Sequence, residues 1–441
     1  MFPSRYRGLH ILIICVWVIM LAAVFYVVAK PVRDASRDFF SYYIGAAALH
    51  YDDPYSVATY ERVAAATGIK VAGLYLYPPT FAVLLQPALL ISPYAGSLVW
   101  FGVNLGLLLI GIGILLRHSN LSEPRMRAAL LLLPMFFTPV LMTFYLGQVN
   151  ILIFVLLVLV YLTFVHRRPY TSGVLLALSV WIKIWPIILI AYFAWKREWK
   201  VVLGAVIGLL LIGILTLALA GVEPTIGFFT DRLPGISSGT EAGRDHLNQS
   251  IPGFFAKLFA PSSEYVRPLA ENRVLAQQGG RIASLLLVIV TVLLSSWPIT
   301  LKNREQFLSE FMLVVIASML ITGRLFESNL VVLLPAYFFI AEELQRKNVK
   351  SWKQVALPIA SVVLIDLHRV IWTLANPERQ VLPWFLLSFP FLGLMLVWLI
   401  FAMRRLQEIN NHRAGYLKER VYSTRPAVST DIKPNVEQRI D

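Results

Sequence analysis

Asp38 stands in the run Ser36-Arg37-Asp38-Phe39-Phe40-Ser41-Tyr42-Tyr43, where an acid is surrounded by aromatic rings. Aromatic side chains settle at the headgroup level of a bilayer, so this carboxylate is held at a membrane surface, where it can take a proton from a hydroxyl. The alternative is a loop cap, or an ion pair with Arg37 or Arg33. Lys183 lies in Ser179-Val180-Trp181-Ile182-Lys183-Ile184-Trp185-Pro186, an ammonium in an apolar stretch. Such a charge is costly and serves an anion or a water-filled cavity, unless it snorkels to an interface. Pro186 breaks the helix there and frees backbone groups that suit an anionic headgroup.

Gly147-Gln148-Val149-Asn150 sets two amides on a turn between apolar runs. There they suit sugar hydroxyls or a phosphate, or else Asn150 simply caps the next helix. Tyr77-Pro78-Pro79 makes a rigid interfacial corner, while Asn248-Gln249-Ser250 is either a further polar patch or an ordinary turn. Arg324 and Glu327 read as a phosphate ligand with its partner, or as a salt bridge. The seven histidines are scattered, and the Asp52-Asp53 side chains diverge in extended chain, so no metal spacing is present. The expected reaction is metal-independent and uses no cofactor. Walker-type glycine loops are also missing, which takes support from ATP-driven classes.

The elements that position these residues follow from composition. Hydrophobic residues make up 58% and charged residues 15% of the 441, and mean hydropathy is +0.69. Repeated apolar runs of about 20 residues exceed ordinary core helices, so the chain reads as an all-α, polytopic helical membrane protein. The runs are continuous and not alternating, which excludes an outer-membrane barrel. The net charge of +14 gathers in short loops between the runs. Membrane orientation accounts for that pattern, so membrane lipids are expected partners and nucleic acid is not. Cys15 is the single cysteine, so no intramolecular disulfide can form. The first run, His10 to Ala29, lacks a small-residue cleavage site and reads as an uncleaved helix.

With Arg5 and Arg7 on the cytoplasmic side, that helix delivers the loop 30–78 outside. Phe81 to Ile91 is too short to cross and reads as a half-helix; a full crossing would turn every later basic cluster outward. The expected spans are Tyr94 to Leu116, Ala128 to Tyr145, Ile151 to Val165, Val201 to Ala220, Ile282 to Pro298, Phe307 to Thr322, Leu330 to Ala341, Val355 to His368 and Leu382 to Met403. Thr171 to Trp195 reads as two short helices that enter and leave on one side, with Lys183 at the apex. The count is about ten to twelve membrane segments, some short or re-entrant. They form a single domain over 1–405, with outer loops 30–78 and 221–280. Residues 406–441 read as a basic cytoplasmic tail, partly disordered beside an anionic surface.

Taken together, Asp38-Phe39 with Tyr42-Tyr43, Tyr77-Pro78-Pro79, Gly147-Gln148-Val149-Asn150, Lys183-Ile184-Trp185-Pro186 and Asn248-Gln249-Ser250 resemble glycosyltransferase family 87. These are the polyprenyl-phosphate-mannose-dependent mannosyltransferases of the GT-C superfamily. The resemblance implies a GT-C fold and a catalytic Asp38 on the first outer loop. It also implies a polyprenyl-phosphate sugar donor, mannose above all, and a glycan or glycolipid acceptor at the outer face of the inner membrane. Lys183, Gln148, Asn150, Arg324, Tyr77, Asn248 and Gln249 are then the candidates for the donor's phosphate and sugar. Direct displacement would invert the anomeric centre. The family's later motif, Ser-Pro followed by an aromatic residue and His, is degraded here to Thr322-Gly323-Arg324-Leu325-Phe326-Glu327-Ser328-Asn329, without the His. A transporter or flippase of lipid-linked sugars is the alternative from another class, because a lysine beside a broken helix would serve it equally.

Overall fold

A computed structural model describes residues 7–29, 37–51, 53–70, 74–237, 246–262, 265–296, 304–348, 351–375 and 381–423. Arg5, Arg33, Asp34, Asp52, Asp245, Lys302 and the tail beyond 423 lie outside the described residues.

The first apolar run is helix α1 (Arg7–Ala29). The loop that follows holds two short helices, α2 (Asp38–Ala48) and α3 (Val57–Thr67). Next comes α4 (Pro79–Leu84), which starts on a proline, where a missing N–H costs nothing. With the 3₁₀ turn Gln86–Leu90 it fills the stretch expected as a half-helix, and it is too short to cross a bilayer.

After α5 (Pro93–His118), the expected span Ala128 to Tyr145 is two helices, α6 (Pro124–Phe136) and α7 (Thr138–Leu146), bent by 40°. Phe137 leaves the helical conformation, and Pro139 has no N–H with which to continue the ladder. The Thr138 N–H donates instead to Asp366 Oδ1 at 2.8 Å.

Helices α8 (Asn150–Val165), α9 (Pro169–Ile182), α10 (Ile187–Trp195) and α11 (Trp199–Ala220) form the middle of the bundle. Beyond them lie α12 (Val222–Gly227), α13 (Leu233–Ser237), α14 (Ile251–Phe259), α15 (Gly280–Ser295) and α16 (Arg304–Leu320). A 3₁₀ turn, Glu327–Leu333, leads into α17 (Leu334–Arg346), followed by α18 (Trp352–Ala375) and α19 (Phe389–Ser423). The short strands β1 (Val266–Arg267) and β2 (Leu382–Pro383) pair in parallel.

Among the described residues five helices are long and apolar enough to cross a membrane, and the bent pair makes six. The sequence reading counts about ten to twelve segments, and part of the difference lies in helices that stop short of a full crossing. Helices α8, α16, α9 and α10 have 16, 17, 14 and 9 residues. The expected span Leu382 to Met403 begins as β2 and a 3₁₀ turn. Its helix, α19, then runs on through residues 406–423, where the sequence suggests the start of a polar tail.

Helix α8 is buried on nearly every face, as a helix apolar all round must be. It carries the chain about 24 Å from Asn150 to Val165, and α9 brings it back about 21 Å to Lys183. The α10 helix then returns toward the far end, where Phe193 meets Phe164 with ring centroids 5.2 Å apart. The α9–α10 pair is thus a helical hairpin with Lys183 at its tip. Its register is set by α11. A Cβ on Gly173 would fall 2.1 Å from the Val201 carbonyl oxygen, and one on Gly204 2.4 Å from that of Tyr170. Only a seam of small residues lets two backbones come so close.

Candidate active site

Asp38 is the first residue of α2, where a negative charge is favoured by the helix dipole. The preceding Arg37 does not pair with it. The Arg37 guanidinium turns back to α1 and donates to the carbonyl oxygens of Val28 at 2.5 Å and Val27 at 2.8 Å. Those carbonyls belong to the last turn of a helix and have no partner within it. The cap of one helix thus fixes the first turn of the next.

The partner of Asp38 is Gln148, whose Nε2 donates to Asp38 Oδ2. Gln148 reaches it from the turn between α7 and α8, which Gly147 makes possible by adopting φ +68°. A side chain at Gly147 would also collide with Phe39, because its Cβ would lie 2.8 Å from the Phe39 Cβ. The Gly147 carbonyl accepts from Trp100 Nε1 at 2.8 Å.

Around Gln148 a buried polar cluster forms. The Tyr42 and Tyr77 hydroxyls lie 3.0 Å apart, and 3.1 and 3.0 Å from Gln148 Oε1. Asn150 Nδ2 lies 3.4 Å from the same oxygen and 3.2 Å from Ser328 Oγ. Asn150 therefore does not cap α8 with its side chain, the bland alternative at the sequence level. Its Oδ1 accepts from Lys183 Nζ at 2.6 Å, and Asn329 Oδ1 accepts from the same ammonium at 2.9 Å. The ammonium also sits 5.6 Å from the centre of the Tyr77 ring. The Lys183 ammonium is thus engaged by protein amides and points into the cluster.

Burial pushes the Asp38 carboxyl up to about 6, while the Gln148 hydrogen bond and the charges of Lys183 and Arg324 act in the opposite direction. Arg324 thus lies within electrostatic reach of Asp38, with its guanidinium 5.2 Å from the Phe326 ring. The acid paired with His368 Nδ1 is Glu327, at 3.3 Å.

Asn248 and Gln249 are placed differently, because their amides are taken up by backbone groups and, for Gln249 Oε1, by Lys257 Nζ at 3.3 Å as well. Asn248 Nδ2 donates to Gly323 O at 2.8 Å, and its Oδ1 accepts from the N–H groups of Ser250 and Leu325. Gln249 donates to Leu387 O at 3.1 Å and accepts from the Phe391 N–H at 3.2 Å. Buried Lys257 completes this knot by donating to Asn248 O and Leu387 O. These residues fasten the segment that carries Arg324 to the start of α19.

Three members of the cluster, Tyr42, Ser328 and Asn329, lie in the motifs quoted above but are not among the candidate catalytic or donor-binding residues. Tyr42 was within reach of sequence reasoning, since it lies one turn after Asp38 on the same helix face. Ser328 and Asn329 had no periodic signal, because they lie on a 3₁₀ turn. Among the described residues no three His, Cys, Asp or Glu side chains are grouped as a metal site would need. An apolar cleft lined by His118, Tyr161, Phe311 and Phe338 contains none of the cluster residues.

The arrangement joins a half-buried carboxylate, able to accept a proton, to a half-buried ammonium through buried neutral amides. The family model of glycosyltransferase family 87 matches residues 75–325, more than half of the chain. The matched range holds Tyr77, Gln148, Asn150, Lys183, Asn248, Gln249 and Arg324, and Asp38 precedes it. Comparison with curated proteins and with solved structures finds no match. On the family match and its apolar helices, the chain belongs to glycosyltransferase family 87 and is a multi-pass membrane glycosyltransferase that takes a sugar donor and a glycan or lipid acceptor.

Proposed function

We propose that this enzyme moves a hexose, mannose by preference, from a polyprenyl monophosphate to a hydroxyl of a glycan or glycolipid. Asp38 takes the hydroxyl proton as the acceptor oxygen attacks the anomeric carbon. The bond from that carbon to the phosphate oxygen breaks, and the lipid phosphate leaves with the electron pair. Displacement from the opposite face inverts the centre, so a β-linked donor gives an α-linked product. Lys183 and Arg324 take up the charge that grows on the leaving phosphate, the part a metal ion plays elsewhere. A chelator therefore leaves the rate unchanged.

The observation that carries this reading is the meeting of Asp38 and Lys183, remote in sequence, in one buried cluster through Gln148 and Asn150. Lys183 is met there by two amide oxygens, which orient an ammonium without cancelling its charge. The basic turns 166–168 and 196–200 lie at the far end of α8 and α9. That separation supports a site on the extracytoplasmic side of the inner membrane.

Purified protein in vesicles, given polyprenyl-phosphate mannose and candidate acceptors, tests the proposal. A new glycosidic bond formed without any ion gradient is the expected result. Movement of the lipid-linked sugar across the bilayer with no new bond would overturn it in favour of a transporter.

A further inference from the structure

Hydrogen-bond chemistry gives the cluster a direction. An ammonium only donates, so the amide oxygen of Asn150 must face Lys183, as it does at 2.6 Å. That leaves the Asn150 NH₂ to face Gln148 Oε1 and Ser328 Oγ. With its oxygen toward Asn150 Nδ2 and the two tyrosine hydroxyls, Gln148 must turn its own NH₂ to Asp38. An ionised carboxylate only accepts, so the last contact closes the chain in the same sense. A flip of either amide would set donor against donor, or oxygen against carboxylate. Gln148 and Asn150 are both almost fully buried, at 5% and 1% exposure, so water does not relieve such a mismatch.

We propose that Gln148 and Asn150 are positioning residues, two amides aligned head to tail that carry orientation from the Lys183 ammonium to the Asp38 carboxylate, and not ligands of the donor. The inference rests on the reading of Asp38 as the base. Tyr42 and Tyr77 belong to the same device, since a hydroxyl proton from this bonded pair faces Gln148 Oε1 and holds it in place. The Gln148 contact favours the charged form of Asp38 and holds one carboxylate oxygen, which leaves the other for the acceptor hydroxyl. Lys183 thus has two functions in one side chain. It meets the leaving phosphate, and through two amides it keeps the base ionised and aimed.

The test is the pH profile of kcat/KM with polyprenyl-phosphate mannose, for the wild type and for Gln148→Leu, Gln148→Glu, Tyr42→Phe and Asp38→Asn. Loss of a hydrogen bond to a charged group should move the acid limb of Gln148→Leu to higher pH by about one unit, with the donor KM unchanged within about twofold. Gln148→Glu keeps the shape, so it serves if Gln148→Leu does not fold. It sets a second carboxylate beside Asp38 and should move the limb further in the same direction. Tyr42→Phe should give a smaller shift of the same sign. A raised donor KM with the acid limb in place, in any of the Gln148 variants, makes Gln148 a donor ligand and overturns the inference. Near-normal turnover in Asp38→Asn would instead sink the reading beneath it, so the two failures are told apart in one set of measurements.

Discussion

The guanidinium of Arg37 lies 2.5 Å from the carbonyl oxygen of Val28, so the residue beside the proposed base is anchored to the end of the first membrane helix. Arg37 is 3% exposed, and its replacement takes the donor from the carbonyl of buried Val28 and from that of Val27. Arg37→Met should lower stability by about 1–3 kcal/mol, with Arg37→Lys between it and the wild type because an ammonium can restore one of the two bonds. Thermal unfolding in detergent, followed alongside turnover, checks this. Unchanged stability in Arg37→Met would show that the α1 end does not need the guanidinium.

Asp38→Asn keeps the shape of the side chain and removes its ability to accept a proton. Turnover should fall by about two orders of magnitude or more, with donor binding largely retained. Asp34→Asn and Asp52→Asn, in the same loop, should have far smaller effects. A single-turnover assay with separately measured donor binding decides the matter. Activity near the wild-type level in folded Asp38→Asn would shift attention to Glu327 or Asp245.

The environment of Asp38 also predicts a pH dependence. Burial raises its carboxyl from 3.8 to about 6, so the base becomes competent only as pH rises through that range. The acid limb of the rate should therefore lie near pH 6 and not near 4. Stability carries the opposite sign. A carboxyl whose folded value is raised favours the fold in its protonated form, and this contribution is lost as pH rises from 3.8 through about 6. Rate profiles and unfolding midpoints measured over the same range should thus move in opposite senses for this group.

Gly147→Ala tests the turn that carries Gln148. The substitution places a side chain at φ +68° and within 2.8 Å of Phe39. The left-handed conformation alone costs about 1–2 kcal/mol, and the contact adds to it by pushing α2 away. Turnover should fall even in protein that remains folded, because Gln148 and Asp38 are displaced together. A fully active and stable Gly147→Ala would show that the turn tolerates a shift.

Far from the site, Glu310 is fully buried and joins three elements. It meets Lys196 at 2.7 Å, Arg405 at 2.7 Å and the Tyr192 hydroxyl at 2.9 Å. Glu310→Gln takes a carboxylate from Lys196 and one of two from Arg405, which keeps Glu408 at 2.8 Å, and should cost about 3–5 kcal/mol of stability, with little change in kcat per folded molecule. Urea or thermal titration in detergent, with activity normalised to folded protein, reads the two effects separately.

Much of the site was legible in sequence because polar residues in an apolar chain are conspicuous. Asp38, Gln148, Asn150, Tyr77 and Lys183 each stood out by cost or by position, and the structure gathers all five. Asn248 and Gln249 stood out for the same reason, yet their amides are spent on the backbone of 323–325, Ser250 and the start of α19. An amide in a sequence has no direction. Whether it faces a ligand or a loop depends on chain segments that the local sequence does not contain.

The sequence by itself determined that the chain is helical and membrane-bound, because continuous apolar runs and the placement of Lys and Arg report local free energies of transfer. It also revealed the break at Lys183 and Pro186, since a proline acts on its own turn. Only the tertiary structure decided that the tip of the α9–α10 hairpin meets the turn after α7, that Ser328 and Asn329 take part, and that Arg37 caps α1 and leaves Asp38 to Gln148. These are contacts between remote segments, set by the Gly173–Gly204 seam, the left-handed Gly147 and the burial of α8. Each depends on which surfaces fit together once the helices are packed, and that information belongs to the assembled bundle and not to any one run of residues.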